Sequence, residues 1–194
     1  NTRSLFISTQ SSEKNKMAFD INTFTSNLVG GGALSSLFEV TITGKGLKGS
    51  EDKFQYLCKA ASLPSSTITT SSVTYMGRPI TIPGNRDAQQ WTNTIYNDED
   101  MSVRNYLESW METLNSHSGN VRGSSMSKIN SYTGTLTVSQ LAKEGGGVLK
   151  VYKFQNAWPS SVAEVTLDWE TNEIQTFDVT WEFSHWTSDS SGIV

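Results

Sequence analysis

The side chains best suited to bond-making chemistry are Cys58, His117 and His185, with carboxylates at Asp98, Glu99, Asp100, Glu164, Asp168, Glu170 and Glu173. A thiol hydrolase would need Cys58 as a thiolate beside an imidazole, in an electropositive setting such as a helix N-terminus. Cys58 instead alternates with Phe54 and Tyr56, and no nucleophile signature surrounds it, so it reads as a small core residue. His117 falls in a Ser/Gly-rich connection and His185 extends the aromatic face of the last strand. With no Cys/His cluster at zinc spacing, neither makes a metal site. A glycosidase would set two carboxylates across a sugar. Asp98-Glu99-Asp100 better suits the start of a helix, where negative charge is favoured, and the other carboxylates flank a turn and a strand edge. Gly30-Gly31-Gly32 and Gly145-Gly146-Gly147 lack both the terminal Lys-Ser/Thr of a P-loop and the spacing of a dinucleotide fingerprint, and so read as joints. No catalytic, cofactor-binding or metal-binding residue is assigned.

The chain has 194 residues, a length that suits one domain, since single domains usually run to roughly 100 to 200 residues. Its apolar fraction is low, 36%, but six Trp, six Tyr and eight Phe can supply a core from a few large side chains. A net charge of -4 argues against a surface built to hold phosphate backbones, because such binding relies on Lys and Arg releasing condensed counterions. A single cysteine cannot form an internal disulfide, and no Asn-x-Ser/Thr sequon occurs. The N-terminal stretch lacks an apolar signal region and no run approaches the roughly 18 apolar residues of a membrane span. The expectation is a soluble chain folded in a cytoplasm.

The elements that must position these residues are mostly strands. Between Trp158 and Trp186 two alternating segments flank a polar turn, and the second sets Phe177, Val179, Trp181 and Phe183 against Asp178, Thr180, Glu182 and Ser184. Strands are also predicted over 37–42, 54–60, 91–96, 132–141 and 148–154, with the charged loop Lys48 to Lys53 joining the first two as a hairpin. Trp110, Trp169 and Trp181 are expected in the core. One helix is predicted, about Asp98 to Ser116, from the stripe Val103, Leu107, Trp110, Met111 and Leu114. Residues 61–84 carry hydroxyls and β-branched side chains with few bulky anchors, so strands there should face polar surroundings. The predicted architecture is mainly β, about eight strands in two packed antiparallel sheets, as a sandwich or squat barrel with one α-helix. The predicted division is a polar N-terminal arm at 1–16, one domain at 17–187 and a short tail at 188–194.

Several short patterns carry a resemblance: Cys58-Lys59-Ala60, Leu63-Pro64, Met76-Gly77-Arg78, Pro83-Gly84-Asn85-Arg86, Trp91, Asn97-Asp98, Trp158-Pro159, Leu167-Asp168-Trp169 and Glu173 to Phe177. With them, residues 17–186 resemble the tail tube proteins of contractile-tailed phages of the T-even type. The resemblance implies no catalysis and no cofactor. It implies a subunit that forms hexameric rings, stacked helically into a tube inside a contractile sheath, with genome passing down the lumen. Its implied partners are further copies of itself, the sheath, baseplate or tube-initiator and terminator proteins, and, transiently in the lumen, a tape-measure protein and DNA without sequence-specific binding. Its implied location is the virion tail, after assembly in the host cytoplasm.

Head-to-tail contacts of this kind need edge strands that pair with neighbours. The segment 61–84 is therefore expected to cross to a neighbouring subunit or ring. The interface candidates are Leu63, Pro64, Thr67, Thr69, Tyr75, Met76, Arg78 and Arg86, the alternative being that both arginines only brace their own turn. Residues 1–16 are expected to clasp a neighbour. Three rivals stand beside this reading: a baseplate tube initiator, the inner tube of an injection or secretion machine, and a sugar-binding sandwich that would present Trp158 and Trp186.

Overall fold

Why the chain folds where it does is plainest in the strands whose apolar residues alternate. A computed structural model describes residues 21–44, 51–87, 89–124 and 128–189. The expected arm at 1–16 and most of the expected tail lie outside them. The chain divides into two units, Asn1–Ala33 and Leu34–Val194. In the first, α1 (Ile21–Asn27) is followed by a single 3-10 turn at Val29–Gly31. Gly30, Gly31 and Gly32 all have positive φ, which ends the helical course.

Among its described residues the second unit carries nine strands: β1 (Phe38–Gly44), β2 (Cys58–Ala61), β3 (Thr67–Tyr75), β4 (Arg78–Asp87), β5 (Trp91–Tyr96), β6 (Gly134–Leu141), β7 (Val148–Val162), β8 (Thr176–Glu182) and β9 (His185–Asp189). Seven of them form an antiparallel path in the order β1-β6-β7-β8-β5-β2, with β9 also on β7. The long β7 joins two ladders. Its first part pairs with β6 and β9, and its last part, from Trp158, pairs with β8. A bulge lies at the bend, where Gly134 pairs with Ala157 but Leu136 pairs with Phe154, and Asn156 has φ of 56°. The two parts face each other across the core, so that Trp91 of β5 meets Phe154 of β7 with ring centroids 5.1 Å apart. This is the two-sheet antiparallel architecture that the alternation predicts.

The core is made of inward positions from both ladders: Val40 and Ile42, Leu136 and Val138, Phe154, Ile95, Phe177, Val179 and Trp181, all essentially buried. Full burial of one such side chain contributes about 1.5–3 kcal/mol, so most of the stability lies here. Helix α3 (Ser102–Leu114) lays Val103, Tyr106, Leu107 and Trp110 against β7, with Trp110 edge-on to Trp181 at 5.8 Å. Gly134 makes that approach possible, since a Cβ there would stand 2.9 Å from the Thr43 carbonyl oxygen and 3.2 Å from the Trp110 ring.

Several expectations need correction. Residues 54–57 are not strand, because α2 (Glu51–Leu57) precedes β2. Phe54 and Leu57 lie one helical turn apart, and Phe54 is buried against Trp181 while Tyr56 points out. Three alternating residues were too few to separate a period of two from one of 3.6. The expected hairpin at 48–53 is not formed, since β1 pairs with β6 and β2 with β5; Lys48 itself lies outside the described residues. The main helix is shorter than 98–116, and among the described residues three further short α-helices occur: α1, α2 and α4 (Ile129–Tyr132). The last displaces the start of the strand expected at Tyr132. Trp169, expected in the core, is fully exposed on the loop between β7 and β8.

Candidate assembly surface

The remaining two strands, β3 and β4, pair among the described residues only with each other, and every residue of both is exposed. An isolated two-stranded hairpin is marginal in water even when its turn is good. The turn here is tight. Tyr75 pairs with Arg78, and the two residues between them, Met76 and Gly77, have φ of 47° and 76°, as in a type I′ turn.

The register sorts the side chains into two faces, because directly paired residues of antiparallel strands share a face and alternate along each strand. Val73 pairs with Ile80 and Ser71 with Ile82, which places Ser71, Val73, Tyr75, Ile80 and Ile82 with Arg78 on one face. Thr70, Ser72, Thr74 and Thr81 lie on the other with Pro79 and Pro83. Towards the tip the first face thus carries an apolar stripe of Val73, Tyr75, Ile80 and Ile82, while the other carries mostly hydroxyls and prolines, and both are open to solvent. A register shift between Ile68 and Thr70 interrupts the ladder at Gly84, where Thr69 Oγ1 donates to the Asn85 carbonyl at 2.9 Å. A Cβ at Gly84 would stand 2.9 Å from the Thr69 carbonyl oxygen, so only glycine permits that crossing without a shift.

The hairpin is rooted on the N-terminal end of β5. Trp91 Nε1 donates to the Ser62 carbonyl at 2.6 Å, and Trp186 Nε1 to the Ser65 carbonyl at 3.3 Å. Ser65 Oγ and Gln89 Oε1 close the base at 2.6 Å.

Of the eight candidates, Leu63 and Pro64 sit at this root, in a depression of about 230 Å³ shared with Trp91 and Phe183. Tyr75 and Arg78 lie on the apolar face with Thr67 and Thr69, and Met76 is at the tip, 90% exposed. Arg86 pairs with Ile68 and lies on the opposite face from Arg78, so the two arginines do not form one patch. Among the described residues neither has a carboxylate partner within salt-bridge distance. The residues that sequence reasoning missed are Val73, Ile80 and Ile82. Their period of two was visible, but they were diluted among the hydroxyls.

Cys58, Lys53 and Asp98 each make contacts that serve the fold. Burial pushes the Cys58 thiol up, outweighing its hydrogen bonds with Asn93 and the Ala60 carbonyl, so it is a weak nucleophile. Asn93 is buried, accepts from Trp181 Nε1 at 2.7 Å and points its amide at the Cys58 sulfur, 3.6 Å away. Lys53 Nζ bridges Asp100 at 2.9 Å and Asp98 at 3.3 Å, tying α2 to the turn before α3. Its pKa is raised by those two partners. Desolvation works to raise Asp98, but the Lys53 ammonium and the Ser102 amide and hydroxyl outweigh it and hold the carboxyl below its ordinary range. The acidic run therefore acts through Lys53 as well as through the helix start. No helix among the described residues is long and apolar enough to cross a membrane.

Tail tube protein gp19 of Enterobacteria phage T4 is 32% identical over 155 residues, which cover 79% of this chain and 90% of the phage protein; the phage T6 protein gives the same figures. Among solved structures, a chain of the anti-feeding prophage tube-terminating cap superposes with a TM-score of 0.61 at 19% identity, covering 82% of this chain and 91% of that one. A chain of the sheath–tube complex of an extracellular contractile injection system, PVC, gives 0.59 at 17%, covering 86% and 97%. These structural likenesses show a shared fold. The family described as phage tail tube protein matches residues 19–189, and this chain belongs to that family.

Proposed function

We propose that the protein is the structural subunit of the inner tube of a contractile phage tail, and that β3 and β4 form the arm by which copies hold one another. The observation that carries the assembly reading is the hairpin itself, whose apolar stripe has no cover among the described residues. Burying that stripe on a neighbour supplies the stabilisation an isolated hairpin lacks. The prolines sharpen the picture. In a ladder closed by the Tyr75–Arg78 pair, the amides of Pro79 and Pro83 would point outward, so the outer edge of β4 lacks two donors while that of β3 keeps all of its own. A neighbour's strand therefore adds to β3 and not to β4.

The assembly proposed is a stack of hexameric rings within a sheath, begun at a baseplate and closed by a terminator. Chains of the same fold occur in a sheath–tube complex, a sheath/tube terminator and a baseplate. The hydroxyl face and the net charge of -4 suit a lumen along which tape-measure protein and DNA pass without adhering. The role is structural, with no reaction assigned; the tube belongs to the virion and is built in the host cytoplasm.

Electron microscopy of the purified chain at rising concentration, with light scattering, tests the proposal. Rings or hollow tubes are expected, and Arg78→Ala should weaken polymerisation while the monomer stays folded. A persistent monomer would count against self-assembly, and normal tubes from the arginine variant would remove Arg78 from the interface.

A further inference from the structure

At the end of the β5–β8 pair opposite the hairpin root lies a second exposed feature, the loop Ala163 to Gln175. The root sits where Trp91 pairs with Trp181, whereas the loop enters β8 where Tyr96 pairs with Thr176. Five residue steps along β5, from Trp91 to Tyr96, separate the two, roughly 17 Å at 3.4 Å per step. The loop is held at both ends: Ala163 N donates to the Asp178 carbonyl at 2.8 Å, and Asn97 N to the Gln175 carbonyl at 2.9 Å. It bounds a depression of about 640 Å³. Leu167, Trp169 and Ile174 are largely or fully exposed beside it, among Glu164, Asp168, Glu170 and Glu173, with no Lys or Arg in the loop. A fully exposed tryptophan in an acidic rim is a poor arrangement for a free surface and a good one for an interface anchor.

The hairpin tip is its complement. Tyr75, Met76 and Arg78 are exposed there, and no acidic residue occurs between Thr67 and Arg86. Met76 occupies a left-handed position that a type I′ turn fills best with Asn, Asp or Gly, so it is not there for the turn. Its thioether and the neighbouring guanidinium are groups that lie well against an indole.

We infer that the loop Ala163 to Gln175 is the socket that receives the Tyr75–Arg78 turn of the next copy, an inference that rests on the tube reading above. Because plug and socket are different surfaces, and the hairpin root and the loop lie at opposite ends of one strand pair, the contact is head-to-tail and runs from ring to ring without closing.

Cross-linking tests this in assembled protein. Met76→Cys and Trp169→Cys are combined with Cys58→Ala, and the polymer is oxidised. Apposed turn and socket bring the two residues within disulfide reach. A covalent ladder running past the number of subunits in one ring is expected. No ladder, or one that stops at ring size, would overturn the inference. Trp169→Ala and Met76→Asn are the second measure, since both positions are exposed and the asparagine suits the turn. Each should raise the concentration at which tubes appear by about tenfold or more, the scale of a lost aromatic or packed anchor, without changing the circular dichroism of the monomer. Wild-type tubes whose concentration dependence neither variant alters would overturn the socket and leave the tube standing. A wild-type chain that never forms rings or tubes would overturn both.

Discussion

The two-ladder body and the β3–β4 hairpin are built from the same secondary structure and solve opposite problems. In the body, alternating residues pack inward and the outward ones meet water, so each strand satisfies itself within the subunit. In the hairpin apolar and hydroxyl residues also alternate towards the tip, yet among the described residues neither face is covered. Alternation makes a strand two-sided; whether the apolar side finds its cover inside the subunit depends on what else the chain can bring there.

Substitutions should separate the two regions. Trp181 is buried, touches Phe54 and Trp110 edge-on, and donates to Asn93. Trp181→Ala should destabilise the monomer by about 3–5 kcal/mol in chemical denaturation. Next in size, Gly134→Ala drives a methyl towards the Thr43 carbonyl and the Trp110 ring and should cost about 1–3 kcal/mol.

The hairpin should behave otherwise. Ser72→Pro removes an outward donor from β3 without touching the core, so it should change monomer stability by no more than about 0.5 kcal/mol while abolishing tubes in light scattering. A monomer unfolded by this change would mean that the hairpin is part of the folding unit, and the comparison would break.

The smallest effect belongs to the Lys53–Asp98–Asp100 bridge on the body's surface. Asp98 has a lowered pKa, so its contribution is complete above the ordinary value of 3.8 and is lost as pH falls through the folded value. Lys53 has a raised pKa, so its contribution is complete below 10.5 and is lost as pH rises through the folded value. Both groups are solvent-screened, which keeps the term small. Lys53→Met should slightly lower Tm at neutral pH and slightly narrow its drop on acidification to about pH 3, where aspartates protonate.

Much of this was legible beforehand, for local reasons. A strand was predicted over 91–96, and its alternate residues Trp91, Asn93 and Ile95 are all buried. The stripe of α3 was readable because Val103, Leu107 and Trp110 recur over two turns. Trp169 was misjudged because residue type favours burial for tryptophan, whereas its loop has no opposing layer. Phe54 was assigned to the correct interior but the wrong element, since a short segment satisfies two periods. The candidates at the hairpin were found by composition, yet composition gave no faces. Only the register separates Arg78 from Arg86 and gathers Val73, Ile80 and Ile82 into one stripe.

By itself, then, the sequence determined the elements whose periodicity is long, the inward face of each, the poverty of catalytic groups and the unusual polarity of residues 61–84. These are properties of neighbours along the chain, set by backbone geometry and side-chain type. Tertiary structure decided that β7 bends to serve two ladders, that β1 seeks β6 and not β2, and that the hairpin root and the Trp169 loop stand at opposite ends of one strand pair. Those depend on pairing between residues far apart in the chain, where many registers satisfy the same local pattern and only the packed core selects among them.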